Sequence, residues 1–164
     1  MVKNVKWFFV VLVFSSFISL SFVEKENLAE QISVGDVAPR LQLGDEVQPL
    51  NLHAGDGKYT LLSFWASYDA VSRVKNAALC RLANDNAQVK IISVSFDRYA
   101  SAFKAAVKKD GLHEEDCFVE TEGERSEAFR TYGLENGFKS FLLDENGVVV
   151  AENVSAEELS SLAD

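Results

Sequence analysis

The sequence predicts an α/β domain, a central mixed β-sheet flanked by helices on both faces, and three features predict it. Apolar runs rich in Val and Ile alternate with segments whose apolar residues recur at helical spacing, an Asn-Gly turn joins two late strand-like runs, and a capped helix follows them. Alternation favours parallel strands joined by helical crossovers, whereas a tight hairpin is antiparallel, so the sheet is mixed.

The elements follow in order. After a polar lead-in, the stretch 32–43 carries Val34-Gly35-Asp36-Val37-Ala38-Pro39, and Lys58 to Phe64 is an apolar run suited to a buried strand. Asp69 to Ala83 is helical by the stripe Val71, Val74, Ala78 and Leu82, which is expected to face the sheet. Lys90 to Phe96 reads as a central strand. Ser101 to Lys109 is a helix with Phe103, Ala106 and Val107 inward, two lysines in its last turn and Gly111 just beyond. Cys117 to Glu120 is a short strand and Ser126 to Tyr132 a short helix. Lys139 to Leu143 and Val148 to Ala151 flank the hairpin turn Asp144-Glu145-Asn146-Gly147. Ser155 to Leu162 closes the chain, with Ser155 and Glu158 matching a capping box.

With 164 residues, 48% hydrophobic content and twelve Phe, the chain can bury one sizeable core. Residues 24–164 are expected to form that domain, and residues 1–23 a signal peptide or a short N-terminal membrane anchor. Lys3 and Lys6 precede the uncharged apolar run Trp7 to Val23, small residues stand at Ser19 and Ser21, and acids resume at Glu24. No Cys follows the run, which excludes a lipoprotein anchor. The positive flank implies that residues 24 onward are exported to the periplasm or cell envelope.

Removing residues 1–21 takes away two lysines and no acid, moving the formal charge from −9 to −11. So acidic a chain is a poor partner for nucleic acid or anionic membrane surfaces, and membrane contact is expected only through an uncleaved N-terminal segment. The acids cluster at Glu114-Glu115-Asp116 and at Glu120, Glu122, Glu124 and Glu127, readable as a solvated face or as an acidic docking surface. His53 and His113 are isolated, and no Cys or His spacing suits a metal. Gly55-Asp56-Gly57 is a turn signal far short of a phosphate-binding loop. No metal or cofactor is expected.

Five local motifs stand in a set order: Gly35-x-x-Ala38-Pro39, Phe64-Trp65-Ala66-Ser67, Ser93-Val94-Ser95-Phe96-Asp97, Tyr132-Gly133-Leu134 and Phe141-Leu142-Leu143-Asp144-x-x-Gly147. Together with the element order they resemble the thioredoxin-like superfamily, in particular exported thiol-disulfide oxidoreductases of the TlpA/ResA type and the related redoxin and peroxiredoxin (AhpC-TSA-like) branch. The resemblance covers residues 33 to about 162. It implies a thioredoxin-like fold with an active site at the start of the first helix, where the family pattern F-W-A-x-W-C-x-x-C-R places two cysteines.

This chain departs from the pattern at those positions. Asp69 takes the first cysteine's place and Ser72 the second's, with Trp65 and Tyr68 before them and Arg73 after. In the family, the free N–H groups and dipole of the helix end lower the first thiol's pKa, and the second cysteine resolves the mixed disulfide. A carboxylate forms no sulfur-sulfur bond and a serine hydroxyl stays protonated at neutral pH, so dithiol exchange is impossible at this site. Peroxidase chemistry fails likewise, because residues 66–76 contain no Cys. Asp69 suits an N-cap, with a share in a binding surface or a general-base role as alternatives, and Ser72 suits a half-buried helix position. Phe138 stands where the family has a cis-proline. A trans peptide is expected there, because a non-proline cis bond costs about 3–4 kcal/mol. The ring either packs over the vacated site or is a plain core or rim aromatic.

Two cysteines remain. Cys80 lies half a turn from the Val71 stripe and is expected to be largely exposed, and Cys117 to sit in a peripheral segment. An intramolecular disulfide, two unpaired thiols and a redox-active role all stay open. The expected function is a redox-inactive binding or accessory module whose protein or peptide partner docks at the degenerate positions Trp65, Tyr68, Asp69, Ser72 and Phe138. No catalytic residue is expected there. The alternative is an oxidoreductase or peroxiredoxin-like enzyme with divergent chemistry through Cys80 or Cys117, and a third reading is a purely structural envelope domain.

Overall fold

A computed structural model of the chain describes residues 32–44, 48–53 and 58–163. The leader at residues 1–23 and the Gly55-Asp56-Gly57 turn lie outside them.

The described chain runs through β1 (Tyr59–Trp65), α1 (Ala70–Asn84), β2 (Val89–Ser95), α2 (Ala100–Asp110), β3 (Cys117–Val119), α3 (Glu127–Thr131), β4 (Ser140–Leu143), β5 (Val149–Glu152) and α4 (Ala156–Ser160). The five strands form one mixed sheet in the order β3-β2-β1-β4-β5. β1 pairs parallel with β2 from Tyr59 opposite Val89 to Trp65 opposite Ser95, and antiparallel with β4. β2 and β3 are parallel, β4 and β5 antiparallel. The central strand β1 is buried at every position but its first, as its continuous apolar run requires.

Alternation along β1 divides the core in two. Leu62 and Phe64 join Ile92, Val94, Phe96, Phe141, Phe129 and Tyr132 on one face, where α3 and the lead-in residues Leu41, Leu43 and Leu52 cover them. Leu61 and Trp65 join Ile91 and Leu142 on the other face, beneath α1, α2 and Leu159 of α4. Helices therefore cover both faces, as the element order predicts.

The predicted local devices are present. Gly111 closes α2 in the left-handed region (φ 67), and Ser155 and Glu158 form a complete capping box. Gly147 lies at φ 79 in the β4–β5 turn, where a Cβ would stand 2.9 Å from the His53 ring. The Gly35–Pro39 lead-in docks beside β5: Gly35 N donates to Val149 O and Ala38 N to Gly147 O, both at 2.8 Å, and the Tyr132 hydroxyl donates to Pro39 O at 2.6 Å.

Three expectations are overturned. Of the predicted α1 stripe, Val71, Val74 and Ala78 face solvent, with Val71 81% and Val74 71% exposed, and only Leu82 packs against the core, partly buried. The inward face is Ser72, Asn76, Ala77, Leu79, Cys80 and Ala83. The strands beneath α1 carry buried polar groups that need partners: the Trp65 indole donates to Ser93 Oγ at 2.9 Å, and Ser93 Oγ donates to Asn76 Oδ1 at 3.0 Å. Small residues at 77 and 83 let the helix approach the sheet, so satisfying the polar groups and packing closely decide its rotation. Cys80 is consequently buried, not exposed. Cys117 lies on the edge strand β3, a peripheral segment as expected, with its own side chain buried and paired in register with Ser93. Glu120, read with the acidic surface cluster, is 2% exposed, and its carboxylate accepts from Gly44 N and Glu122 N at 2.9 Å each.

Candidate functional site

The positions singled out by sequence converge on the loop from β1 into α1. Asp97, just past β2 and 3% exposed, sets that loop. Its carboxylate accepts from Ser67 N at 3.1 and 3.2 Å, from Ser67 Oγ at 2.7 Å and from Ser95 Oγ at 2.6 Å. A buried carboxylate persists only with such a full set of donors, and here it fixes the residue before Tyr68.

Asp69 then caps α1: its Oδ1 accepts from Val71 N and Ser72 N, both at 3.0 Å, satisfying two of the helix's free donors. Ser72 faces inward, with its hydroxyl donating to Asp69 O at 3.3 Å and accepting from Ala66 N at 3.4 Å. Its proton and one of its lone pairs serve the backbone. Arg73 is fully engaged with Asp110 at the end of α2, Nε to Oδ2 at 2.7 Å and Nη2 to Oδ1 at 2.8 Å. That pairing holds the Asp110 carboxyl below the ordinary range.

The structure brings Tyr68, Asp69 and Phe138 together and leaves Trp65 out, because Trp65 is fully buried beneath α1. Tyr68 stands 64% exposed as a ridge that borders three clefts, one of which, of about 460 Å³, runs along α1 to Arg73, Arg81 and Lys109 and is basic; the other two share Glu124. The first of these, of about 550 Å³, runs to Phe138 and is walled by Phe129 and Leu134. The second of these, of about 370 Å³, lies between Tyr68, Phe96 and Tyr99. Partial burial raises the Tyr68 phenol above its ordinary range, as do the carboxylates of Glu124, Asp97 and Asp69, against the opposing pull of Arg98. The peptide before Phe138 is trans. The half-buried Phe138 ring stacks on Phe96 at 5.9 Å and meets Phe129 edge-on at 6.3 Å, so it is both a core aromatic and a wall of the cleft.

Neither remaining cysteine reaches this surface. Cys80 and Cys117 are free and buried at 3% and 8% exposure. Cys80 Sγ donates to Asn76 Oδ1 at 3.7 Å. Burial, reinforced by the neighbouring Cys117 and opposed by the Ser93 hydroxyl, pushes the Cys80 thiol up to about 12. Burial likewise pushes Cys117 up to about 11. Thiols so placed are poor nucleophiles at neutral pH. No group of three residues fit to hold a metal occurs among the described residues.

Asp97, Ser67, Glu124 and Glu135 are the site residues that the sequence did not single out for this surface. Ser67 and Asp97 each stand in a quoted motif, but their pairing spans 30 residues and two strands, and no local pattern records it.

No protein-family model matches the chain, and no curated protein matches it. Solved structures do. A thioredoxin-like protein from Parabacteroides distasonis is 37% identical, with 81% of this chain and 96% of that one covered and a TM-score of 0.73. A thiol-disulfide oxidoreductase from Bacteroides fragilis is 26% identical over 77% of this chain and 96% of that one, at a TM-score of 0.62. The thioredoxin domain of a thiol-disulfide oxidoreductase from Bacteroides vulgatus, 22% identical over 80% and 96% at a TM-score of 0.63, shares the fold. By its five-stranded sheet, its motif order and this 37% identity, the chain belongs to the thioredoxin-like proteins.

Proposed function

We propose that this thioredoxin-like domain is exported and works as a protein- or peptide-binding module of the cell envelope, without dithiol chemistry at the family's usual site. The observation that carries the reading is the state of the α1 N-terminus. Asp69 caps the helix where the family pattern has its attacking cysteine, Ser72 is spent on backbone hydrogen bonds, and an exposed Tyr68 with flanking clefts remains. A carboxylate there supports the helix end and keeps a negative charge on it, yet can neither attack nor form a disulfide. The aromatic and apolar walls suit side chains of an extended segment. The alternative, redox chemistry through Cys80 or Cys117, draws no support from two thiols that are buried and held protonated.

The test is affinity capture from an envelope extract with wild type and with Tyr68→Ala/Asp69→Ala, each identified by mass spectrometry. A partner held by wild type and lost from the double variant is expected; identical captures would contradict a functional surface at this place.

A further inference from the structure

We propose that the cleft between Tyr68 and Phe138 seats the lysine or arginine side chain of an extended partner segment, whose neighbouring apolar side chain enters the cleft on the other side of Tyr68. The inference rests on reading this surface as a partner site, and it names the partner's chemistry.

Charge is the first ground. The larger cleft is lined by three carboxylates, Asp69, Glu124 and Glu135, against one guanidinium, Arg130, a formal balance of −2. None of the three is ion-paired among the described residues. Asp69 gives one oxygen to the helix cap. Arg130 does not neutralise the group by direct pairing, and its Nη1 instead donates to Arg125 O at 2.8 Å. A cation entering the cleft therefore meets a lining of net negative charge, while an anion meets repulsion.

The walls are the second ground. Tyr68 and Phe138 present aromatic rings to the same cleft, and such faces attract ammonium and guanidinium groups while covering their methylene stems. The smaller cleft shares Tyr68 and Glu124 with the larger one and adds Phe96, Tyr99 and Ala102. There Arg98 offsets Glu124, and the buried Asp97 carboxylate is already held by Ser67 and Ser95, which leaves an apolar side chain as the natural occupant. Side chains two apart in an extended segment lie on one face about 7 Å from each other, which allows one to enter on each side of the Tyr68 ridge.

The experiment is an NMR titration of isotope-labelled protein with three nonapeptides, Gly-Ser-Gly-X-Ser-Leu-Gly-Ser-Gly, in which X is arginine, glutamine or glutamate. The arginine peptide is expected to shift the amides of Tyr68, Asp69, Glu135 and Phe138 with an affinity roughly fivefold or more above that of the glutamate peptide, a gap that added salt narrows. Glu124→Lys/Glu135→Lys, two exposed changes, is expected to reverse the order. Equal affinities for all three peptides, lost together in Tyr68→Ala, would overturn the cationic preference and leave the partner surface standing. Tighter binding of the glutamate peptide would overturn the preference as well. No shift at these amides with any peptide would overturn both.

Discussion

Helix α1 has two contrasting regions. Its N-terminal end is open, carrying Asp69 beside an exposed Tyr68 and no thiol. Its inner face is closed, holding Cys80 over Ser93 and Cys117 together with the Trp65–Ser93–Asn76 chain of hydrogen bonds. In a dithiol enzyme of this family the sulfurs belong to the open end, where unpaired N–H groups favour a thiolate. Here they lie only in the closed region, where burial keeps them as thiols. A cysteine's chemistry thus depends on its place along the helix: the same two residue types that would react at the end serve as packing beneath it.

Substitutions can break this contrast, and the largest effects belong to the closed region. Trp65→Ala should cost about 3–5 kcal/mol, since it empties the space of a fully buried ring and leaves Ser93 without its indole donor. Urea denaturation measures it, and a loss below about 1 kcal/mol would contradict the packing described. Asp97→Ala should follow at about 2–3 kcal/mol, because Ser67 and Ser95 lose their charged acceptor. It should also broaden the amide signals of Ser67 to Asp69, while Trp65→Ala acts chiefly on the core.

The thiols give a pH test. In the unfolded chain they ionise near the ordinary 9.0, while the folded chain keeps its protons up to about 11 for Cys117 and about 12 for Cys80. The folded state therefore binds more protons across that window. Their contribution is fully present below pH 9.0 and is lost as pH rises from there through the folded values. Cys80→Ala/Cys117→Ala should flatten the alkaline fall in the urea midpoint. At neutral pH both thiols should react with an aromatic disulfide reagent only in denaturant, and prompt reaction of the native protein would reject their burial.

The open region should respond more weakly. Asp69→Ala removes a cap worth about 1 kcal/mol, and Asp69→Asn should recover most of it, since an amide oxygen accepts the same bonds. Smallest of all, Val71→Ser/Val74→Ser should change stability by less than about 0.5 kcal/mol despite removing two apolar side chains from a helix. A loss of about 2 kcal/mol would restore the inward stripe that the sequence suggested.

That stripe shows where sequence reading stops. The order of elements along the chain, the hairpin, the Gly111 stop and the Ser155 box were legible because each depends on residues a few positions apart. The Asp69 cap was legible for the same reason. The rotation of α1 was not, because it answers to Trp65 and Ser93 on the sheet, and a stripe of Ser, Asn, Ala and Cys looks polar until its partners are known. Glu120 misled similarly: among other acids it reads as surface, yet it binds Gly44 N from 76 positions away. Phe138 could be placed beside Tyr68 from the family pattern, whereas the acidic lining escaped notice because Glu124 and Glu135 meet Tyr68 only through the fold.

The most direct measurement is insulin disulfide reduction by the purified protein in dithiothreitol, beside an Asp69→Cys/Ser72→Cys variant. Wild type is expected to add nothing to the reagent's own rate, whereas the variant, with two sulfurs restored at a well-formed helix start, reduces insulin measurably. Turnover by wild type that disappears on Cys80→Ser or Cys117→Ser would contradict that expectation.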